Sequence, residues 1–175
     1  MPRPRADQHS GDIPRSPANY LNLLSHHIAP KMSNKDPITC HVLDTTAGRP
    51  AKGIRVRLEG PAPPPTPDSS LFSSHADGDV KRFESMTDDD GRIQAWLPYS
   101  SQTEAGEIPV YTLEDVLANV KGPSRWTLRF DTAGYFGEEH TFFPEATIVF
   151  RVEEGQHYHV PLLLSPYSYT TYRGS

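Results

Sequence analysis

A chain of 175 residues with a formal charge of −5 has the length of one domain plus a tail. The acidic balance argues against a nucleic-acid binder, the absence of any long apolar run against a membrane span, and the single cysteine, Cys40, against a disulfide framework. Hydrophobic content is only 35%, and 18 prolines with 12 glycines predict many turns and some sequence outside the core.

Residues 1–36 mix prolines and scattered charges with one apolar cluster, Tyr20-Leu21-Asn22-Leu23-Leu24. That cluster is too short for a secretory signal and no small-residue cleavage site follows it, so the segment is expected to be a disordered tail, with organellar targeting as the other reading. The folded domain is expected over 37–175.

Its first strand is Ile38 to Leu43, with Ile38, Cys40 and Val42 on one face and Thr39, His41 and Leu43 on the other. A turn over Thr46–Pro50 leads to a second strand, Ile54 to Glu59, which alternates apolar and charged residues. The prolines between Gly60 and Pro67 lack ladder donors, so 60–79 reads as an exposed, proline-rich loop insertion. Strands are expected over Val80–Thr87 and Arg92–Leu97, joined by a tight Asp88-Asp89-Asp90-Gly91 turn, with Pro98 ending the second.

Leu113, Val116, Leu117 and Val120 recur at helical spacing, which predicts a short helix over Thr112–Lys121 with Thr112 as its N-cap. Arg125 to Asp131 is a strand with Trp126, Leu128 and Phe130 inward. Thr132 to Gly137 forms a helical turn, and Thr147 to Val152 is another strand. In the next strand Tyr158, Val160, Leu162 and Leu164 face one way, and His157, His159, Pro161 and Leu163 the other. Ser165-Pro166 breaks the run, and Tyr167 to Arg173 forms a last strand with a docked end. The fold class is all-β: about eight strands in a two-sheet sandwich, with one or two short helices.

Several side chains could carry chemistry. His157 and His159 share a strand face, which suits zinc ligation if a third ligand arrives, and equally suits proton transfer by a neutral imidazole. His41 alone reads as a surface histidine, and Arg92 as a solvated strand-end charge. Cys40 and His41 are neighbours on one strand, so their side chains diverge and Cys40 belongs to the core. The three aspartates before Gly91 read as a solvated turn before a calcium site.

Several stretches then resemble one family. The His157-Tyr158-His159…Leu163-Leu164-Ser165-Pro166-Tyr167 run with the closing Tyr172-Arg173-Gly174-Ser175 resembles the C-terminal signature of the 5-hydroxyisourate hydrolases, the transthyretin-related enzymes. So do Thr39-Cys40-His41-Val42-Leu43-Asp44, Gly48-Arg49-Pro50-Ala51, Asp90-Gly91-Arg92, and Phe130-Asp131-Thr132 through Glu145. The likeness covers roughly Ile38 to Ser175. The proline-rich insertion, the added segment near Thr103–Ser124 and the tail depart from the family's pattern.

The resemblance implies a transthyretin-like sandwich assembled as a homotetramer. It further implies metal-free, cofactor-free hydrolysis of 5-hydroxyisourate to 2-oxo-4-hydroxy-4-carboxy-5-ureidoimidazoline in urate degradation. It matches His41 and His159 to the family's catalytic histidines, Arg92 to its substrate-contacting arginine, and Tyr172 to a substrate-binding position. Ser175 then lines the pocket with its terminal carboxylate, and Arg173 anchors the tail. The family's setting is peroxisomal or cytoplasmic, without nucleic acid or membrane as a partner. The alternative is a non-enzymatic carrier of small aromatic ligands, as transthyretin is. Transthyretin is secreted, lacks the Tyr-Arg-Gly-Ser ending, and has no titrating residue at the position of His159.

Overall fold

The computed structural model describes residues 35–62, 80–99 and 111–175. The expected tail lies outside the described residues apart from Lys35 and Asp36, as does the proline-rich insertion from residue 63 onward. Described residues 35–175 belong to one compact unit. In chain order its strands are β1 (Ile38–Asp44), β2 (Arg49–Pro50), β3 (Arg55–Ala62), β4 (Lys81–Met86), β5 (Arg92–Ile93) and β6 (Leu97–Pro98). Helix α1 (Leu113–Asn119) follows, then β7 (Ser124–Asp131), α2 (Thr132–Phe136), β8 (Glu145–Val152), β9 (Tyr158–Ser165) and β10 (Ser168–Thr171).

These strands form two sheets. One runs β10-β9-β1-β2 with β5 also on β1, and the other runs β6-β4-β3-β7-β8. The strand period of two decides what lies between them. Ile38, Cys40 and Val42 of β1, and Val160, Leu162 and Leu164 of β9, are buried from one side. Val56 and Leu58 of β3, Phe83 of β4, and Trp126, Leu128 and Phe130 of β7 are buried from the other. The outer face of the second sheet is charged, with Arg57 paired to Glu84 at 3.3 Å and Arg129 to Glu145 at 2.8 Å. Exposed pairs of this kind contribute little to stability.

Helix α1 begins at the expected cap: the Thr112 hydroxyl accepts from the Asp115 N–H while the Asp115 carboxylate accepts from the Thr112 N–H. Leu113 is the part of that helix buried in the core. Between α2 and β7, Asp131 ends the strand and caps the helix in one step, its side chain accepting from the Gly134 N–H.

Two expectations are corrected. The second strand does not stop at Glu59 but continues to Ala62; the pairing with β7 shifts register between Glu59 and Ala62, and Pro61, which has no N–H to give, falls in that irregularity. The expected strand over Arg92–Leu97 is two strands in different sheets. Arg92–Ile93 pairs with β1, whereas Leu97–Pro98 pairs with β4, so Pro98 sits within a strand at its edge.

The crossing between sheets is pinned by Trp96, whose indole Nε1–H donates to the Ile38 carbonyl at 2.7 Å. Its backbone N–H donates to the Asp36 carboxylate at 2.7 Å. Trp96 is buried, so removing its donor leaves the Ile38 carbonyl without that partner in the core. Trp96→Phe is therefore expected to cost about 2 kcal/mol in urea unfolding. A loss indistinguishable from zero would show that this bond does not hold the crossing.

Candidate active site

Side-chain placement at the site follows from strand register. β1 lies parallel to β9, with Thr39 opposite His159 and His41 opposite Pro161. On its other side β1 pairs antiparallel with β5, with His41 opposite Arg92. Partners in register share a face, so Thr39, His41, Arg92, His159 and Pro161 stand together on the outer face of the sheet. Their neighbours Cys40, Val42, Ile93, Val160 and Leu162 turn into the core.

Arg92 is aimed by the turn before it. Gly91 adopts φ +71°, and a Cβ there would lie 2.4 Å from the Val42 carbonyl. Only glycine lets the turn press so closely on β1, where the Val42 N–H donates to the Gly91 carbonyl at 2.8 Å. The Asp88 carboxylate accepts from the N–H groups of Asp90 and Arg92 at 3.0 and 2.8 Å, which closes the turn. Asp88 is thus occupied as a turn former, and the Asp89 carboxylate pairs with Lys52. Among the described residues no group of three His, Cys, Asp or Glu side chains could hold a metal.

The ring centroids of His41 and His159 are 6.5 Å apart, with the planes inclined by 37°. Both imidazoles have pKa values lowered from the usual 6.5. For His41 burial is the main cause and the Arg92 guanidinium adds to it, opposed by a hydrogen bond to the Asp90 backbone and by the Asp88 and Asp90 charges. Its Nε2 is buried and makes no hydrogen bond, so the bond to Asp90 uses Nδ1. For His159 burial again leads, followed by the charges of Arg92, His41 and Lys35. The His159 Nδ1 lies 2.9 Å from the Thr39 hydroxyl.

The chain beyond β10 folds back over His159. The Gly174 N–H donates to the His159 carbonyl at 2.9 Å, and a Cβ on Gly174 would come within 2.6 Å of His159 Cδ2 and 3.1 Å of Pro161 Cγ. Tyr172 is exposed and lines, with His159, a crevice of 440 Å³ between the edges of β8 and β10. His41 and Arg92 are not part of that crevice; Arg92 is exposed, whereas the His41 Nε2 is buried. Ser175 is exposed at the end of the same segment. The Arg173 guanidinium lies 5.3 Å from the centre of the Tyr158 ring, a cation–π contact, and lines the same crevice.

Two of the candidate residues lie elsewhere. His157 precedes β9, is exposed, and lines a separate cavity of 280 Å³ with Glu114 of α1 and Glu153, so it does not join His159. Cys40 is wholly buried, and burial pushes its thiol pKa far up, which leaves it inert at neutral pH. Thr39 is the residue that sequence reasoning passed over. Its one signal was a position on the same strand face as His41.

A two-sheet sandwich bearing a pair of neutral histidines and an arginine on one outer face is the class of protein this defines. The chain belongs to the HIUase/Transthyretin family, whose pattern matches residues 38–174. It is 37% identical over 181 residues to the uric acid degradation bifunctional protein TTL of Arabidopsis thaliana, a match over 97% of this chain and 48% of that one. The chain therefore spans about half the length of that relative. Against the probable 5-hydroxyisourate hydrolase of Schizosaccharomyces pombe it is 34% identical, over 79% of this chain and 90% of that protein. Sea bream transthyretin, solved in complex with thyroxine, matches with a TM-score of 0.52 at 23% identity over 79% and 94% of the two chains, a likeness of fold.

Because burial lowers both imidazole pKa values, each ring favours its neutral form at pH 7 and charges only as the pH falls below 6.5. An NMR titration of the His41 and His159 ring protons is expected to place both midpoints below 6.5. A midpoint at or above that value for either ring would contradict the electrostatics described.

Proposed function

We propose that the protein is a 5-hydroxyisourate hydrolase of urate degradation. The observation that carries this reading is the pair of depressed, neutral imidazoles 6.5 Å apart beside Arg92 on one sheet face. The curated relatives support the substrate, since the yeast protein and one from Mus musculus, 36% identical over 82% of this chain, carry that activity in their names.

Hydrolysis needs a base, an oxyanion stabiliser and a proton donor, in that order. The histidine pair takes a proton from water as its oxygen bonds to the ring carbonyl carbon of the substrate. Arg92 holds the substrate's planar oxygens through its guanidinium fork and stabilises the tetrahedral oxyanion. When the oxyanion collapses, the carbon–nitrogen bond breaks and the imidazolium returns its proton to the departing nitrogen. The sum is one water added, and both rings end neutral. Tyr172 and Ser175 form the wall above His159. No metal or organic cofactor enters the scheme.

The active assembly is a homotetramer. The outer sheet face carries the half-buried Leu43 and Leu163 on the strands of the histidines, apolar surface that a second copy would cover. Such a copy would also close the open side on which His41 and Arg92 stand. A peroxisomal or cytoplasmic location suits the reaction.

Freshly generated 5-hydroxyisourate, followed by its ultraviolet absorbance, is expected to decay far faster with the protein than in buffer. His159→Thr should lose at least about a hundredfold of that acceleration. A chelator should change nothing. Decay at the buffer rate from the folded protein would turn the reading to a ligand carrier, and loss of activity on chelation would overturn the metal-free scheme.

A further inference from the structure

The hydrolytic scheme leaves open how a neutral imidazole is made to present a lone pair and not an N–H to the reacting water. For His41 the backbone answers: its Nδ1–H is spent on the Asp90 carbonyl, which leaves Nε2 bare and buried. His159 has no such carbonyl. Its Nδ1 meets the Thr39 hydroxyl at 2.9 Å, and a hydroxyl can either give or accept.

The surroundings of Thr39 decide which. Its Oγ1 also lies 3.3 Å from the Tyr158 carbonyl, which can only accept. One hydroxyl proton cannot serve both neighbours. If it goes to the Tyr158 carbonyl, the His159 Nδ1 must be the donor to Oγ1, and every polar atom of the triad is matched. If it goes to Nδ1, the carbonyl loses that partner and Nε2 must carry the ring proton.

We propose that Thr39 is a positioning residue for the hydrolysis, relaying the Tyr158 carbonyl to His159 so that Nδ1 is protonated and Nε2 is the proton acceptor. The inference rests on the hydrolase reading for its catalytic meaning but not for its geometry. Parallel pairing makes the relay short: Thr39 and His159 are in direct register, and Tyr158 is the residue before His159 on the same strand. The chain runs Tyr158 carbonyl, Thr39 hydroxyl, His159 ring and reacting water, with the proton entering and leaving at Nε2 while Nδ1–H stays in place. It also gives the two histidines the same tautomer by different means, a carbonyl for His41 and a hydroxyl for His159.

The test combines nitrogen-15 spectra of the imidazoles with kinetics on the full chain, for wild type, Thr39→Val and Thr39→Ser. Valine keeps the branched shape on a half-buried strand position, and serine keeps the hydroxyl. In the wild type His159 should be protonated at Nδ1 and bare at Nε2. In Thr39→Val the ring should become a mixture of tautomers, with kcat down about tenfold and KM little changed. Thr39→Ser should restore both the single tautomer and most of kcat. A His159 protonated at Nε2 in the wild type, or a Thr39→Val protein with unchanged tautomer and kcat, would overturn the proposal. Failure of the hydrolase reading looks different: the wild type itself would not hasten substrate decay, whatever the spectra show.

Discussion

The site depends on one constraint, the in-register parallel pairing of β1 with β9. These strands are far apart in sequence, and their alignment from Ile38↔Tyr158 to Asp44↔Leu164 fixes which side chains meet. Because the side-chain period is two, a slip of one residue would send His159 into the core and Val160 to the outer face. Burial forbids that slip. Ile38, Cys40, Val42, Val160, Leu162 and Leu164 fill the interior of the sandwich, so the core residues hold the register that the histidines need.

Electrostatics follow from the same face. A charged arginine on the same face as the two imidazoles favours the neutral form of each ring, and partial burial does more than the arginine. The turn through Gly91 sets the distance, since it brings Arg92 onto β1 opposite His41. The segment ending in Gly174 closes over His159 from the other side, at a separation that only a residue without Cβ allows. The rings are thereby pressed into fixed attitudes, which favours catalysis by groups that need little reorganisation.

Much of this was legible before the structure. Alternation named the core faces of β1, β7 and β9, since an apolar residue at every second position has one physical explanation in a sandwich. Thr112 announced the start of α1. What stayed hidden were features set by pairing partners. Nothing local in Arg92–Leu97 tells that the chain changes sheets at Trp96, because both halves are extended and the decisive bonds go to Ile38 and Asp36. Pro61 was misjudged for a related reason: proline breaks a regular ladder, but the irregular pairing of β3 with β7 accommodates it. Thr39 carried little signal beyond sharing a strand face with His41, because its partner, His159, is a neighbour only through the parallel register. The resemblance had matched His41, Arg92 and His159 to a common task, and strand register brings the three onto one face.

The central claim is that His41 and His159 act as one unit on one water. A double-mutant cycle measures this directly, with kcat/KM for 5-hydroxyisourate determined in wild type, His41→Asn, His159→Thr and the double variant. If the rings share one step, the double variant will be scarcely slower than the slower single variant. If the two losses multiply, the histidines work independently, and the paired-imidazole account is wrong.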